Sequence, residues 1–299
     1  IRDYYASRGL GDVYKRQLYH SNNCWTSLKR AAGRIAYKDD VITKRLEKGM
    51  ANLLHHNTVS FLHFIELFID GSKQYLDTKN YKYALMLYYA LFQDRLDKTG
   101  FASIYEALEL IHKEMYSYFK QEISEIISYL LAHLQLKTMP LGEDVLPGLE
   151  LYGCYTREEI FTLVGRQTEA RKMQGSVTGV FNLSECNATL LFVTLNKSDK
   201  DFSPSTQYND YFINEHYFHW QSQNTDSHQN NGGQRYTKQA DTQNKIILFV
   251  REEKKDGYGN TCPFHCFGLV EYMSSHDDFP MNITWKLQQP AMAQYVKAI

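Results

Sequence analysis

Residues 216–224 read HYFHWQSQN and alternate between large apolar and polar side chains. A period of two is typical of a β-strand with one buried face, because successive side chains of a strand point to opposite sides of the sheet. We expect Phe218 and Trp220 to lie on the buried side, together with Ser222. The other side then carries flat, hydrogen-bonding side chains at intervals of about 7 Å. These are Tyr217, His219, Gln221 and Gln223.

Five further segments of the second half have the composition of strands. They are rich in Val, Ile, Phe, Tyr and Thr, lie between turn-forming residues, and span 176–182, 189–195, 245–251, 264–272 and 281–287. Only one helix, with a capping box at Thr156, is expected among them, so we predict a mixed or antiparallel sheet in a partly open barrel. The longest gap, residues 224–243, is rich in Asn, Gln, Ser, Asp and Gly and predicts an exposed, mobile loop.

The first half has apolar residues at the helical period instead. The pattern covers residues 41–54, 59–69, 81–96 and 103–134, and Ser103 followed by Glu106 predicts an N-terminal cap for the last of these. Each helix would bury one stripe, as in a helical bundle. Prolines and glycines between residues 139 and 149 predict a linker. The fold class is therefore α+β, with a helical connector region at 18–140 and a β-rich recognition domain at 150–299.

The beginning of the chain has the character of an artefact. Residues 12–17 read DVYKRQ, which resembles a translation of the transposase mosaic end used to prepare sequencing libraries. We therefore expect residues 1–17 to be translated adapter and flanking sequence, and exclude them from the fold. The chain would then be a C-terminal fragment of a longer protein. The alternative is a natural basic N-terminal segment.

Composition excludes several classes of protein. Lys plus Arg number 33 against 34 for Asp plus Glu, so the net charge is -1 and bulk electrostatics cannot dominate binding to nucleic acid. No apolar run reaches about 18 residues, so no membrane partner is expected. The 5 cysteines come without a secretory signal, which favours free thiols in the cytoplasm.

Catalytic and metal-binding motifs are missing from the sequence. It has no GxxxxGK[ST] loop, GxGxxG, HExxH or GxSxG. Cys262, His265 and Cys266 come nearest to a metal cluster, but strand alternation would place His265 opposite the two thiols. The adjacent His55 and His56 are more typical of a core edge than of a ligand cluster. We therefore name no catalytic residue, no metal ligand and no cofactor.

Several separated motifs of the second half occur together in a known family. They are the Asn196–Ser198 tripeptide, FSPSTQYNDY at 202–211, FHWQSQN at 218–224, ILFVRE at 247–252 and PMNITWKL at 280–287. Together they resemble the domain of unknown function numbered 3427, over residues 150 to 290. That domain is found at the C-terminus of bacterial superfamily II (DEAD/DEAH-type) helicases, often behind a phospholipase-D-like nuclease domain. The helical region before it resembles, more loosely, the segment that precedes the domain in those proteins.

The resemblance implies a role in DNA processing or in defence against foreign DNA, with the upstream helicase core as a partner. Helicase and nuclease motifs are absent from this sequence, so the resemblance implies no ATPase or cleavage activity for this chain. The leading hypothesis is a non-catalytic domain that recognises DNA, either unmodified or carrying a modified base, for that motor. The alternatives are a scaffold that docks on the helicase core or another protein, and a metal-dependent nuclease.

The residue types of the second half allow specific roles in such recognition. Glutamine can pair with the edge of adenine, tyrosine stacks on an exposed base, and cationic side chains hold phosphates. The candidate DNA-binding residues are Tyr208, Tyr211, Tyr217, His219, Gln221, Gln223, Arg235, Lys238 and Arg251. The tyrosines also have a structural interpretation, and so do His219 as a buried histidine, Arg251 in an internal ion pair, and Gln221 and Gln223 as amides that satisfy loop backbone. If the amide row reads bases, replacing Gln221 and Gln223 by Ala should weaken DNA binding without changing the melting temperature.

Overall fold

The described residues divide into two units. Those within 1–137 and 158–174 form the first, here called the helical unit, and those within 138–157 and 175–299 form the second, the sheet unit. The structure is a computed structural model that describes residues 24–73, 77–134, 136–142, 145–173, 178–197, 209–257 and 259–296. Residues 1–17, expected to be adapter sequence, lie outside the described residues.

The helical unit contains α-helices of one to four turns. They are α1 (Trp25–Ala31), α2 (Val41–Gly49), α3 (Val59–Ile69), α4 (Tyr81–Phe92), α5 (Leu96–Thr99), α6 (Ile104–Glu109), α7 (Ser117–Ala132) and α8 (Arg157–Leu163), of which α8 belongs to this unit from residue 158 onward. Short 3-10 turns lie between several of them, including Met50–Leu53 after α2. None of the described helices combines the length and the apolar character needed to cross a bilayer.

Local sequence explains where these helices begin and how closely they pack. The Ser103 hydroxyl accepts the amide of Glu106 at 3.1 Å, which confirms the predicted cap of α6. Helix α4 is the centre of the unit, since every residue from position 84 to 92 is buried. Gly49 at the end of α2 allows a close approach to α4, because a Cβ there would lie 2.7 Å from the Cα of Leu91.

The described residues of the sheet unit contain ten strands. They are β1 (Met139–Pro140), β2 (Glu150–Leu151), β3 (Cys154–Tyr155), β4 (Val180–Leu183), β5 (Ala188–Asn196), β6 (Tyr211–Phe212), β7 (Tyr217–Gln221), β8 (Lys245–Glu253), β9 (Phe264–His276) and β10 (Asn282–Leu287). Strands β1 and β2 pair with each other, and the other eight form one sheet in the order β4-β5-β8-β9-β10-β7-β6, with β3 also on β9. Only β5 and β8 run parallel among the described pairs. This mixed, open sheet after a helical region confirms the α+β class.

The segment predicted to be a mobile loop, residues 224–243, contains two helices, so that prediction was wrong. Helix α9 spans Asn231–Thr237 and α10 spans Gln239–Thr242. The side chain of Asn230 caps α9 by accepting the amide of Gly233 at 3.0 Å. Tyr236 of α9 is fully buried and packs edge-on against Trp220 and Trp285, with ring centroids 5.2 and 6.1 Å away. Tyr236, together with hydrogen bonds from His228 and Gln239 to β9 and the turn after it, therefore orders a segment whose composition is otherwise that of a loop.

Candidate nucleic-acid interface

Strand β7 separates its side chains as the alternation predicted. Phe218 and Trp220 belong to the hydrophobic core of the sheet unit, while Tyr217, His219 and Gln221 are half-buried on the opposite side. The free energy of burying the two aromatic rings fixes the register of β7, because a shift by one residue would expose both of them. The polar row is thus held on the outer side of the sheet by the apolar row behind it.

Neighbouring strands extend this outer side into a surface that we call the polar face. Residues paired across antiparallel strands point to the same side of a sheet. His219 is paired with Tyr211 of β6 on one side and with Thr284 of β10 on the other. Strands β7 and β10 contribute two further pairs, Tyr217 with Lys286 and Gln221 with Asn282. The polar face consists of Tyr211, Tyr217, His219, Gln221, Asn282, Thr284 and Lys286.

An exposed aromatic pair lies at one edge of the polar face. The rings of Tyr211 and His219 stack with centroids 4.7 Å apart and an interplanar angle of 14°. Tyr211 is 44% exposed, so its ring is accessible to a second flat group. Nδ1 of His219 donates to the carbonyl oxygen of Asn209 at 2.8 Å, because a carbonyl can only accept. In the neutral imidazole, Nε2 is then the acceptor atom.

Gln221 is engaged within the sheet unit. Its Oε1 accepts the amide of Asn209 at 2.7 Å, and its Nε2 donates to Oδ1 of Asn282 at 2.9 Å. Its backbone amide donates to Asp210, whose other oxygen forms an ion pair with Lys197 at 2.6 Å. Burial raises the pKa of Asp210, and the cation of Lys197 and the amide of Gln221 oppose that shift. Gln221 thus positions the chain before β6 instead of presenting a free amide to a ligand.

Two of the predicted residues have no assigned place on the polar face. Gln223 lies beyond the end of β7 and is half-buried. Tyr208 lies outside the described residues.

The three predicted cations are not brought to the polar face. Arg251 is 8% exposed, and its guanidinium donates to the hydroxyl of Thr194 and to the carbonyl of Cys262 at 2.9 and 3.0 Å. Arg235 and Lys238 belong to the α9–α10 segment, which packs against the opposite, apolar side of the sheet through Tyr236. These cations therefore cannot clamp a phosphate beside Tyr211.

Lys286 is the cation of the polar face, and it was not among the predicted site residues. It is exposed and is paired with Tyr217 across β7 and with Glu271 across β9. Its position follows from the alternation of β10, in which Ile283, Trp285 and Leu287 are buried. The same period-two pattern that identified the row on β7 therefore contained the signal for Lys286.

A second polar arrangement in the sheet unit connects residues far apart in the sequence. His228 places Nδ1 2.9 Å from Oδ1 of Asp278 and Nε2 2.7 Å from the hydroxyl of Ser275. The hydroxyl of Tyr272 also lies 2.7 Å from Ser275. The hydrogen bonds from His228 hold the pKa of Asp278 below its ordinary value. An imidazole oriented by a carboxylate in this way can accept the proton of a serine.

The sheet unit is thus an open mixed sheet in which the part formed by β7 and β10 has one apolar and one solvated side, whereas β5 and β8 are buried on both sides. A family model described as "Domain of unknown function (DUF3427)" matches residues 149–298, and the chain belongs to this family. This match confirms the resemblance of the second half of the sequence to that domain. None of the curated proteins matches the chain.

Proposed function

We propose that the sheet unit binds DNA through the polar face, with an exposed base stacked on Tyr211. The observation that supports this is the Tyr211–His219 stack, which presents an accessible aromatic ring on an open sheet. Stacking of a base on an aromatic side chain contributes about 1–3 kcal/mol. An open sheet that carries such rings is also a known way to bind single strands.

The chemistry of the polar face favours a single-stranded or unpaired region over an intact duplex. Bases of a duplex are stacked on each other, so Tyr211 reaches a base face only where the stack is open. Nε2 of His219 offers an acceptor beside that base, and Lys286 offers a cation to one phosphate. The face carries few cations, so affinity must come mainly from stacking and hydrogen bonds.

We further propose that this domain serves a helicase-type motor in a bacterial DNA-processing or defence protein. The support is the resemblance of the second half to the C-terminal domain of superfamily II helicases. In that arrangement the upstream helicase core of a longer protein is the partner, and the polar face holds the unwound strand. The competing proposal is a scaffold, in which the sheet unit docks on the helicase core and binds no DNA.

Fluorescence anisotropy with a labelled single-stranded oligonucleotide tests the proposal. Replacing Tyr211 by Ala should weaken binding by about 5- to 150-fold, since the stacking contribution is lost. Tyr211→Phe keeps the ring and should bind within about twofold of wild type. Phe279→Ala removes another exposed aromatic side chain of the same unit, 61% exposed and not part of the polar face, and serves as the matched control.

The result also separates the two proposals. Loss of affinity in Tyr211→Ala alone supports recognition of DNA. Absence of binding by the wild type to single-stranded, duplex and forked DNA would support the scaffold. Equal affinity of the wild type and Tyr211→Ala for DNA would show that the binding surface lies outside the polar face.

A second candidate function rests on the Ser275–His228–Asp278 arrangement, which has the hydrogen bonds of a nucleophile, a base and an orienting carboxylate. We propose hydrolysis of an activated ester as its class of reaction. In that reaction Ser275 attacks the carbonyl carbon, His228 takes the proton and passes it to the leaving alcohol, and water then releases the acid.

A fluorophosphonate probe tests this second function because it reacts with activated serines. Labelling of Ser275 in the wild type, lost in Ser275→Ala and in His228→Gln, is the expected result. Ser274→Ala, a change at the neighbouring serine of β9, should leave labelling intact. Absence of labelling in the folded wild type would contradict the proposed hydrolase function.

A further inference from the structure

Two adjacent histidines of the helical unit converge on one carboxylate. His55 and His56 lie in the turn that follows the 3-10 segment Met50–Leu53, and Glu159 lies on α8. Nε2 of His55 is 2.9 Å from Oε2 of Glu159, and Nε2 of His56 is 3.4 Å from Oε1 of the same side chain. One ligand atom from each of the three residues can be chosen so that all lie within 4.8 Å of one another.

The burial of His56 gives an independent indication of a ligand. Its side chain is 0% exposed, and neither ring nitrogen has a hydrogen-bond partner among the described residues. The approach to Glu159 at 3.4 Å lacks the geometry of a hydrogen bond. Buried polar atoms are nearly always satisfied in folded proteins, so an imidazole of this kind needs an explanation. A cation bound to the ring would supply one.

Packing fixes the orientation of the two rings. The imidazoles of His55 and His56 lie 4.2 Å apart, and the ring of Phe61 packs edge-on against His56 at 4.6 Å. Rings held in this way cannot turn freely toward other partners. The carboxylate between them supplies the negative charge that a divalent cation requires.

We propose that His55, His56 and Glu159 bind a divalent metal ion, with Zn²⁺ as the preferred ion. Zinc binds imidazole nitrogen and carboxylate oxygen at about 2.0–2.2 Å, which places neighbouring ligands of a tetrahedral site roughly 3.3–3.5 Å apart. The nitrogen atoms of His55 and His56 lie 2.9 and 3.4 Å from the two different oxygens of Glu159, which is close to that spacing. Binding of the ion would bring the three ligand atoms, which lie within 4.8 Å of one another, to the tetrahedral spacing.

The proposed site has three protein ligands, which leaves a fourth position for water or a small anion. Zinc sites of the catalytic type have this composition, whereas structural sites have four protein ligands. The side chains of His55 and Glu159 are 17% and 11% exposed, so solvent reaches one side of the site. The ion would also tie α8 to the turn after α2. This inference concerns the helical unit and does not rest on DNA binding by the sheet unit.

Metal analysis of the full chain tests the proposal. Protein stripped with a chelator and dialysed against a Zn²⁺ solution should retain one equivalent, measured by inductively coupled plasma mass spectrometry. Glu159→Gln and His55→Gln should each lose that equivalent, since each removes a ligand. His63→Gln is the matched control, because His63 also lies near a glutamate, 3.0 Å from Glu66, but is exposed on α3.

Two further measurements distinguish this site from binding at the free cysteines. Co²⁺ bound by nitrogen and oxygen should give the visible absorption of a tetrahedral ion without the intense thiolate charge-transfer band. Zn²⁺ should raise the melting temperature of wild type and His63→Gln by several degrees, and should leave His55→Gln and Glu159→Gln unchanged.

Two results would contradict the proposed metal site. A wild-type chain that binds no Zn²⁺, or a full equivalent retained in both ligand variants, would overturn the proposal. If Glu159→Gln fails to fold, His55→Gln still decides the matter, because His55 is the most exposed of the three side chains.

Discussion

At the scale of single residues, Gln221 and Tyr211 have different roles on the polar face. The amide of Gln221 joins Asn209 to Asn282 through two hydrogen bonds and so holds β6 and β10 against β7. Tyr211 covers His219 and leaves 44% of its own surface to solvent. A ligand can use the tyrosine ring without breaking the structure, whereas it could use the glutamine only by replacing those bonds.

Replacing Gln221 by Ala should therefore lower stability. Loss of both hydrogen bonds, with their partners left behind, costs about 1–3 kcal/mol of the free energy of unfolding. Gln223→Ala lies beyond the strand and should stay within about 0.5 kcal/mol of wild type. Urea unfolding followed by circular dichroism measures both. Equal stability of the two variants would show that Gln221 does not hold the strands together, and the double replacement would then become a usable probe of base reading.

The cysteines give a test of burial at the same scale. Burial raises the pKa of the Cys266 thiol from 9.0 to about 12, and that of Cys24 likewise. At pH 8 an alkylating reagent should modify the half-buried Cys186 and Cys262 and spare the buried thiols until the chain unfolds. The free energy of unfolding should fall as the pH rises from 9 toward 12, since the unfolded thiols then lose protons that the folded ones keep. Rapid modification of Cys266 in native protein, detected by mass spectrometry, would contradict its burial.

At the scale of elements, strands were predictable because their signal is local. The alternation of β7 lies within a few residues, and it fixed the two sides of the sheet correctly. Helix α9 was not predictable from composition, since it depends on packing of Tyr236 against tryptophans of β7 and β10. The His228–Ser275 and His55–Glu159 contacts join residues 47 and 104 positions apart, so no local spacing could indicate either one.

Gly233→Ala tests how tightly α9 is held. Alanine favours a helix over glycine by about 1 kcal/mol, but a Cβ at this position would overlap the carbonyl oxygen of Ser227. Backbone cannot yield as a flexible side chain can, so we expect a net loss of about 1–3 kcal/mol. Gly257→Ala, where a Cβ meets nothing within 4 Å, should be neutral. Urea unfolding decides, and a neutral Gly233→Ala would mean that α9 is loosely attached.

At the scale of the whole molecule, near-neutrality limits how DNA can be bound. A net charge of -1 gives no broad attraction for phosphates, and the cations predicted from the sequence lie away from the polar face or are occupied inside the fold. Contacts to one to three phosphates correspond to a slope of about -0.7 to -2 in a plot of log affinity against log salt for a single strand. Lys286→Glu should weaken binding and reduce the magnitude of that slope by about 0.7, the contribution of one phosphate contact. Lys238→Glu, on the other side of the sheet, should change neither the affinity nor the slope. A steep slope that survives Lys286→Glu would place the phosphates elsewhere.

Ultraviolet crosslinking of a single-stranded oligonucleotide to the wild-type chain, with the modified peptides identified by mass spectrometry, tests the location of the DNA-binding surface most directly. If the polar face binds DNA, the crosslinks will lie on peptides of β6, β7 and β10, with Tyr211 among the modified residues. Crosslinks confined to the helical unit or to the α9–α10 side of the sheet would contradict that location.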